Sequence, residues 1–178
     1  NSENYVAWNW KLNGSGGTSH TQGNRTTTVS ANQDAGQSLM YWTGAGSGPY
    51  TLGHGLSKAP EVWVYRNIND NGSWNMSHIG TSNQFTKTLY LNDTAAETTS
   101  VTCSAISSTL VTVPDGGATD SPNRLLAYAF HSVEGYSRMG SYVATGTAAD
   151  PEFNNMIYLG FRLKWIMIKN STNTGGGG

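Results

Sequence analysis

Eleven carboxylates, four histidines and one cysteine are what this 178-residue sequence offers for acid–base, nucleophilic or metal chemistry. A polysaccharide-cleaving site needs two carboxylates facing each other across a cleft. The acidic residues are Glu3, Asp34, Glu61, Asp70, Asp93, Glu97, Asp115, Asp120, Glu134, Asp150 and Glu152, and most stand in turn contexts. There an Asp binds neighbouring backbone amides rather than a substrate. No pair stands out by spacing, although pairing across strands stays open. His20, His54, His78 and His131 lack the i,i+2 or i,i+4 spacing of metal ligands. His54, in "GHG", reads as part of a tight turn. His131 closes a strand and faces either the core edge or solvent. The stretch "NINDNG" (Asn67–Gly72) has oxygen ligands to offer calcium, but lacks the first Asp and the closing bidentate Glu. Cys103, in "SVTCSAIS", reads as a buried core thiol, and a single cysteine allows no intrachain disulfide. No G-x-S-x-G nucleophile elbow is present. The sequence therefore points to no catalytic residue, no metal site and no cofactor.

Sugar recognition is the chemistry the composition favours more. Trp and Tyr in sandwich loops stack on pyranose faces, and Asn or Asp binds the hydroxyls. Trp74, after the "NDNG" turn, and Tyr136, in "EGYS", are the leading glycan-binding candidates, with Asn71 and Trp42 beside them. The bland reading sets Trp74 and Tyr136 into the core or a repeat interface. Trp8, Trp10, Trp63 and Trp165 lie in strongly patterned segments and read as packing.

The elements that must position these residues are strands. Helical periodicity is almost absent, and short apolar or alternating runs recur between Gly, Asn, Asp and Ser. Strands are predicted near 5–11, 25–31, 37–43, 49–53, 61–67, 73–79, 86–92, 99–105, 108–113, 124–131, 138–144, 155–160 and 163–170. "NDNG" (Asn69–Gly72) and "PDGG" (Pro114–Gly117) read as turns, and Asn92–Ser100 as one helical turn capped by Asp93 or Thr94. In "LLAYAFH", Leu126, Tyr128 and Phe130 share one face and Ala127 and Ala129 the other. "VWVY" (Val62–Tyr65) and "WIMI" (Trp165–Ile168) are apolar on both faces, so both strands should be central and covered on both sides.

Charged residues are only 12% and the net charge is −1. Nucleic-acid binding needs clustered Lys and Arg, so neither nucleic acid nor an anionic membrane is an expected partner. No apolar run is long enough for a membrane-spanning helix. No initiator Met or signal pattern opens the chain, which reads as an excised, processed or partly observed piece of something longer. The Gly-rich end reads as a linker, a tag scar or an uncertain terminus.

One segment looks written twice. "PEVWVYRN" at Pro60 and "LKWIMIKN" at Leu163 match, 103 positions apart. Each follows a Gly-rich turn, Tyr41–Gly48 or Tyr142–Asp150, and "TLGHGL" answers "YLGFRL". "VAWNWK" at Val6 and "LAYAFH" at Leu126 correspond 120 positions apart. Three blocks in one order imply an internal repeat of roughly 100–120 residues, against chance convergence of buried strands. The fold expected is all-β: an antiparallel β-sandwich, jelly-roll-like. Residues 1–36 would end a preceding unit with a linker strand, and 37–137 would form the central sandwich. Residues 138–178 would begin the next unit or pack into the same sandwich.

"GHGLSKAPEVWVYRN", "LYLNDTAAE", "AYAFHSVEGYSRMGSY" and "GFRLKWIMIKN" also carry a family resemblance. Over most of residues 40–170 the chain resembles a repeated all-β domain of tail-fibre-like and virion structural proteins of marine tailed phages, cyanophages notably. Leu163 departs from the pattern, standing where that family usually has Pro. The resemblance implies an extracellular virion position more than a reaction. Partners would be copies of itself and other virion proteins, with a host-surface glycan as a further candidate. The expected function is non-catalytic: a tail-fibre, appendage or capsid-decoration module acting in assembly and host adhesion. A carbohydrate-binding module is the alternative, and a polysaccharide-cleaving enzyme the third reading.

Overall fold

Alternation of Val, Leu, Trp and Tyr with Thr, Ser and Asn keeps one face of an extended chain apolar, and two such faces must meet. The computed structural model of the chain describes residues 4, 7, 9–114, 116, 119, 122–144 and 156–172. Among the described residues ten strands follow in order: β1 (Thr18–His20), β2 (Thr27–Asn32), β3 (Gln37–Thr43), β4 (Tyr50–Gly53), β5 (Val62–Asn67), β6 (Asn75–His78), β7 (Leu89–Tyr90), β8 (Ala105–Ile106), β9 (Leu110–Val113) and β10 (Arg124–Phe130). They build an antiparallel sandwich. A seven-stranded sheet runs β1-β2-β3-β10-β5-β6-β7, and a three-stranded sheet runs β4-β9-β8.

β10 returns late in the chain and inserts between β3 and β5, with Ala127 opposite both Met40 and Tyr65. The inner face of the large sheet packs on the small one. Val29, Met40, Trp42, Trp63, Tyr65, Leu125, Ala127 and Ala129 meet Tyr50, Leu52, Val111, Val113 and Cys103 there, all buried. Trp63 is fully buried between the alanines and Trp42, whose ring centroid is 5.9 Å away. The small residues of β10 thus face this core, because neighbouring strands fill it with aromatics. Leu126, Tyr128 and Phe130 face outward and stay half-buried.

The outer face has its own apolar cluster. Val62, Val64, Met76 and Leu89 are buried there, with Trp74, Leu91, Tyr128, Phe130 and Met139 against them. The "NDNG" segment does turn β5 into β6: Asp70 Oδ1 accepts from the Gly72 amide at 2.8 Å and Asn67 Oδ1 from the Asn69 amide at 2.9 Å.

Four expectations need correction. Of the strand expected near 99–105, only Ala105 is extended in a ladder, as the first residue of β8. No helical turn forms over Asn92–Ser100; a short 3-10 turn lies at Gln84–Thr86 instead. The groups a helix would use are engaged elsewhere. Asp93 O and Ala95 O accept from Lys169 Nζ, and the Glu97 amide donates to Ser171 O. Near 5–11, the described residues Ala7, Asn9, Trp10 and Lys11 belong to no strand; Tyr5, Val6 and Trp8 lie outside the described residues. Instead Trp10 lies over Tyr128 and Phe130, with ring centroids 6.0 and 6.3 Å away. Finally, 138–144 and 163–170 are not strands over their described residues, and neither is the described part of 155–160. "WIMI" is therefore not covered: Trp165 is 56% exposed and Ile168 62%.

Candidate functional site

Two surfaces and one interior cluster collect the residues with functional potential. The first surface is the outer face of the large sheet at its β5–β6 end. Alternation puts Arg66 and Trp74 on this face, and the β5–β6 register brings them level. Arg66 stands over the Trp74 ring, its guanidinium carbon 5.5 Å from the centroid. The Tyr128 ring centroid lies 6.2 Å from that of Trp74. Trp74 is thus half-buried, fastened through its backbone amide to Asn92 Oδ1 at 2.9 Å.

Around the end of this sheet, on its inner side, opens a shallow pocket of about 210 Å³ lined by Tyr65, Asn67, Asp70, Gly72, Ser73, Asn75 and Tyr90. Tyr65 is its unusual member. Burial, reinforced by Tyr50, Tyr90 and Asp70, pushes its phenol up to about 12. The hydroxyl therefore stays protonated. A protonated phenol at a pocket wall is a hydrogen-bonding handle for a polar ligand. Sequence reasoning missed Tyr65 because "VWVY" reads as pure core.

The four glycan candidates scatter. Trp42 is removed from the set: it is 2% exposed, and its Nε1 donates to the Tyr50 hydroxyl at 2.9 Å, which donates to Thr119 O at 3.0 Å. A Trp that must satisfy its N–H in the core has no face left for a sugar. Asn71 is exposed on the turn beside Trp74. Tyr136 is 60% exposed in the Val133–Ser137 turn. That turn follows Phe130, whereas Trp74 lies level with the Arg66–Leu126 end of β10. The two leading candidates therefore sit toward opposite ends of one strand and form no joint site.

The interior cluster explains the acid–base residues. His54 is fully buried where Gly55 turns with φ +71°. Its Nδ1 accepts from the Leu56 amide at 3.1 Å and its Nε2 lies 3.3 Å from Ser107 O. Burial first, then the nearby His131 and His20, hold its pKa below the usual 6.5, against the raising pull of the Ser107 carbonyl. This is a turn-locking imidazole. His131 is buried at the core edge, its Nδ1 2.9 Å from Ser132 O. Burial pushes the Cys103 thiol up to about 12, the chemistry of an inert core residue. Carboxylates are spent locally: Glu61 Oε2 takes the Ser132 amide at 2.6 Å, Glu97 takes the Ser82 amide and hydroxyl, and Asp93 Oδ1 takes the Ala95 amide. Among the described residues no group of three or more His, Cys, Asp or Glu could hold a metal ion.

The second surface is the tail. Met156, Tyr158, Leu163, Trp165, Ile166, Met167 and Ile168 are all exposed, Tyr158 at 87%. Among the described residues Met156–Ile168 adds no backbone ladder to either sheet. The tail is fastened near its end, through Lys169 Nζ at 2.7 Å from Asp93 O and Ser171 O at 2.9 Å from the Glu97 amide. Burying the exposed parts of Trp165, Ile166, Met167 and Ile168 would stabilise a complex by on the order of 1 kcal/mol each.

Fold and surfaces together define an all-β sandwich module whose largest unexplained feature is an uncovered apolar strand segment. The chain belongs to the family described as a domain of unknown function (DUF7483), which matches residues 1–176. No curated protein and no solved structure matches it.

Proposed function

We propose that this protein is a non-catalytic assembly module of a tailed-phage virion, of tail-fibre, appendage or capsid-decoration type, acting outside the cell in assembly and host adhesion. It associates with copies of itself and with other virion proteins, and its loops face the host. The observation that carries the assembly half is the tail: Trp165–Ile168 has the pattern of a doubly covered strand and stands 50–62% exposed. Exposed apolar surface of this kind marks a site of association. The virion half rests on the sequence resemblance. A surface solvated by Ser, Thr, Asn and Gly, with 12% charged residues, suits salt-tolerant packing. Light scattering on a concentration series tests the assembly half. Particles of at least dimer mass are expected, lost in Trp165→Asp; a monomer at all concentrations would overturn it. An antibody to the chain should label purified phage particles, and unlabelled particles would count against the virion half.

A second reading, a carbohydrate-binding module, is favoured by the pocket that Tyr65, Asn67, Asp70 and Asn75 line at the β5–β6 turn. A multivalent form of the protein should then be retained on a glycan array and released by Tyr65→Phe. No retention at high valency removes this reading.

A further inference from the structure

We propose that the inner face of the large sheet carries a ligand site at its β1–β2 margin that takes one neutral sugar ring; the site is separate from the β5–β6 pocket and independent of the assembly reading.

The sandwich leaves room there for a geometric reason. Seven strands face three, so the inner face of the large sheet runs on past the small one. Thr18 and His20 of β1 lie opposite Val29 and Thr27 of β2, and directly opposed residues share a face. Val29 belongs to the core between the sheets, so Thr18 and His20 stand on the inner side as well. The chain just after β4 comes over this margin at Gly55, and a cavity of about 220 Å³ opens there. That is smaller than the roughly 300–1,000 Å³ of a drug-sized site, which limits the occupant to one ring.

Part of the lining is apolar: Val29, Ala31 and the bare backbone of Gly55. A Cβ at Gly55 would come within 2.8 Å of Val29 Cγ1 and 3.3 Å of His20 Cε1, and the residue turns at φ +71°. Glycine is what lets the chain close this wall. Asn13, Thr18, His20 and Gln33 supply the polar part.

Hydrogen bonds already made assign roles to these polar groups. Asn13 Oδ1 accepts from the Ser15 amide at 3.0 Å and the Ser30 hydroxyl at 2.7 Å. With both lone pairs taken, Asn13 meets a ligand as a donor, through Nδ2. Gln33 Nε2 donates to Gly55 O at 3.0 Å, and its Oε1 is the acceptor it offers. The Thr18 hydroxyl both gives and takes. Sugar hydroxyls also do both, and the C–H face of a pyranose suits an apolar wall. No Asp, Glu, Lys or Arg lines the cavity, so an acidic or amino sugar finds no counter-ion. The β5–β6 pocket differs here, since Asp70 lines it.

The wall is fixed in advance. Thr27 Oγ1 donates to Gly53 O at 3.2 Å, Ser38 Oγ donates to His54 O at 2.7 Å, and His54 Nδ1 accepts from the Leu56 amide at 3.1 Å. These bonds hold the chain on both sides of Gly55, as a preorganised site requires.

Amide NMR of the full chain, titrated with methyl glycosides of glucose, mannose and galactose, tests the site. At least one of them should shift the Thr18, His20 and Gly55 amides. Asn13→Asp keeps an oxygen for Ser15 and Ser30 and replaces the donor with an acceptor. It should weaken binding about two- to tenfold, as should Thr18→Val, with the thermal midpoint unchanged, whereas Tyr65→Phe should leave binding at this site as it was. Shifts confined to the β5–β6 pocket and lost in Tyr65→Phe would overturn this site and leave the carbohydrate-binding reading standing. No shift with any of the three glycosides would overturn it too, while retention on the glycan array decides that reading separately. Tighter binding of methyl glucuronide or glucosamine at β1–β2 would overturn the neutral class. Unchanged binding in Asn13→Asp would overturn the donor role.

Discussion

β5 and the tail segment share a pattern and meet opposite fates. In β5, Val62, Trp63, Val64 and Tyr65 are 5, 0, 6 and 5% exposed. In the tail, Trp165, Ile166, Met167 and Ile168 are 56, 59, 50 and 62% exposed. The apolar content is alike, so composition does not explain the difference; neighbours do. β5 has β10 on one edge, β6 on the other, the small sheet beneath and Tyr128, Phe130 and Trp74 above. Among the described residues the tail has no ladder neighbour, and it is fastened near its end at Lys169 and Ser171. A β-strand is a contract between chain segments, and the tail holds only one side of it.

Substitutions sharpen this contrast. Trp63→Ala should destabilise the fold most, by about 3–5 kcal/mol, because a fully buried indole leaves a cavity that its neighbours fill only partly. Chemical denaturation measures it. Ala127→Leu should come next, at about 1–3 kcal/mol, since an enlarged β10 side chain must displace the core. The counterpart Ala7→Leu should leave the dilute protein's stability unchanged. Acid should act on the β5 half more gently. His54 and His78 titrate below 6.5 when folded, both chiefly through burial. As pH falls through 6.5 the unfolded chain therefore binds protons first, and stability falls with it. Thermal melts from pH 7.5 to 5 should show this decline, flattened in His54→Gln. Trp165→Ala should have the smallest effect on the dilute protein, within about 0.5 kcal/mol. A loss as large as that of Trp63→Ala would mean that the tail is already covered in the single chain.

Much of the large sheet was legible in the sequence. β2, β3, β5 and β10 alternate strongly or run apolar, and Gly or Asn bounds them. The edges were not. β1 is Thr-Ser-His, with no apolar residue to signal it, and β8 is two residues long. Asn92–Ser100 misled because capping residues describe local preference, whereas Lys169 and Ser171 claim its backbone from far along the chain. Trp42 and Tyr65 exchanged roles for a similar reason. Trp42 finds Tyr50 as its polar partner in the core, and the β5–β6 turn opens a pocket at Tyr65. Neither follows from local pattern. The tail's apolar pattern says only that cover is needed and never who supplies it.

Hydrogen exchange at the Leu163–Ile168 amides, followed from dilute to concentrated protein, tests the central claim most directly. The account predicts fast exchange at the lowest concentration and rising protection, approaching that of β5, as oligomers form. Protection already present in the dilute monomer, or none in a sample whose mass is that of an oligomer, would contradict it.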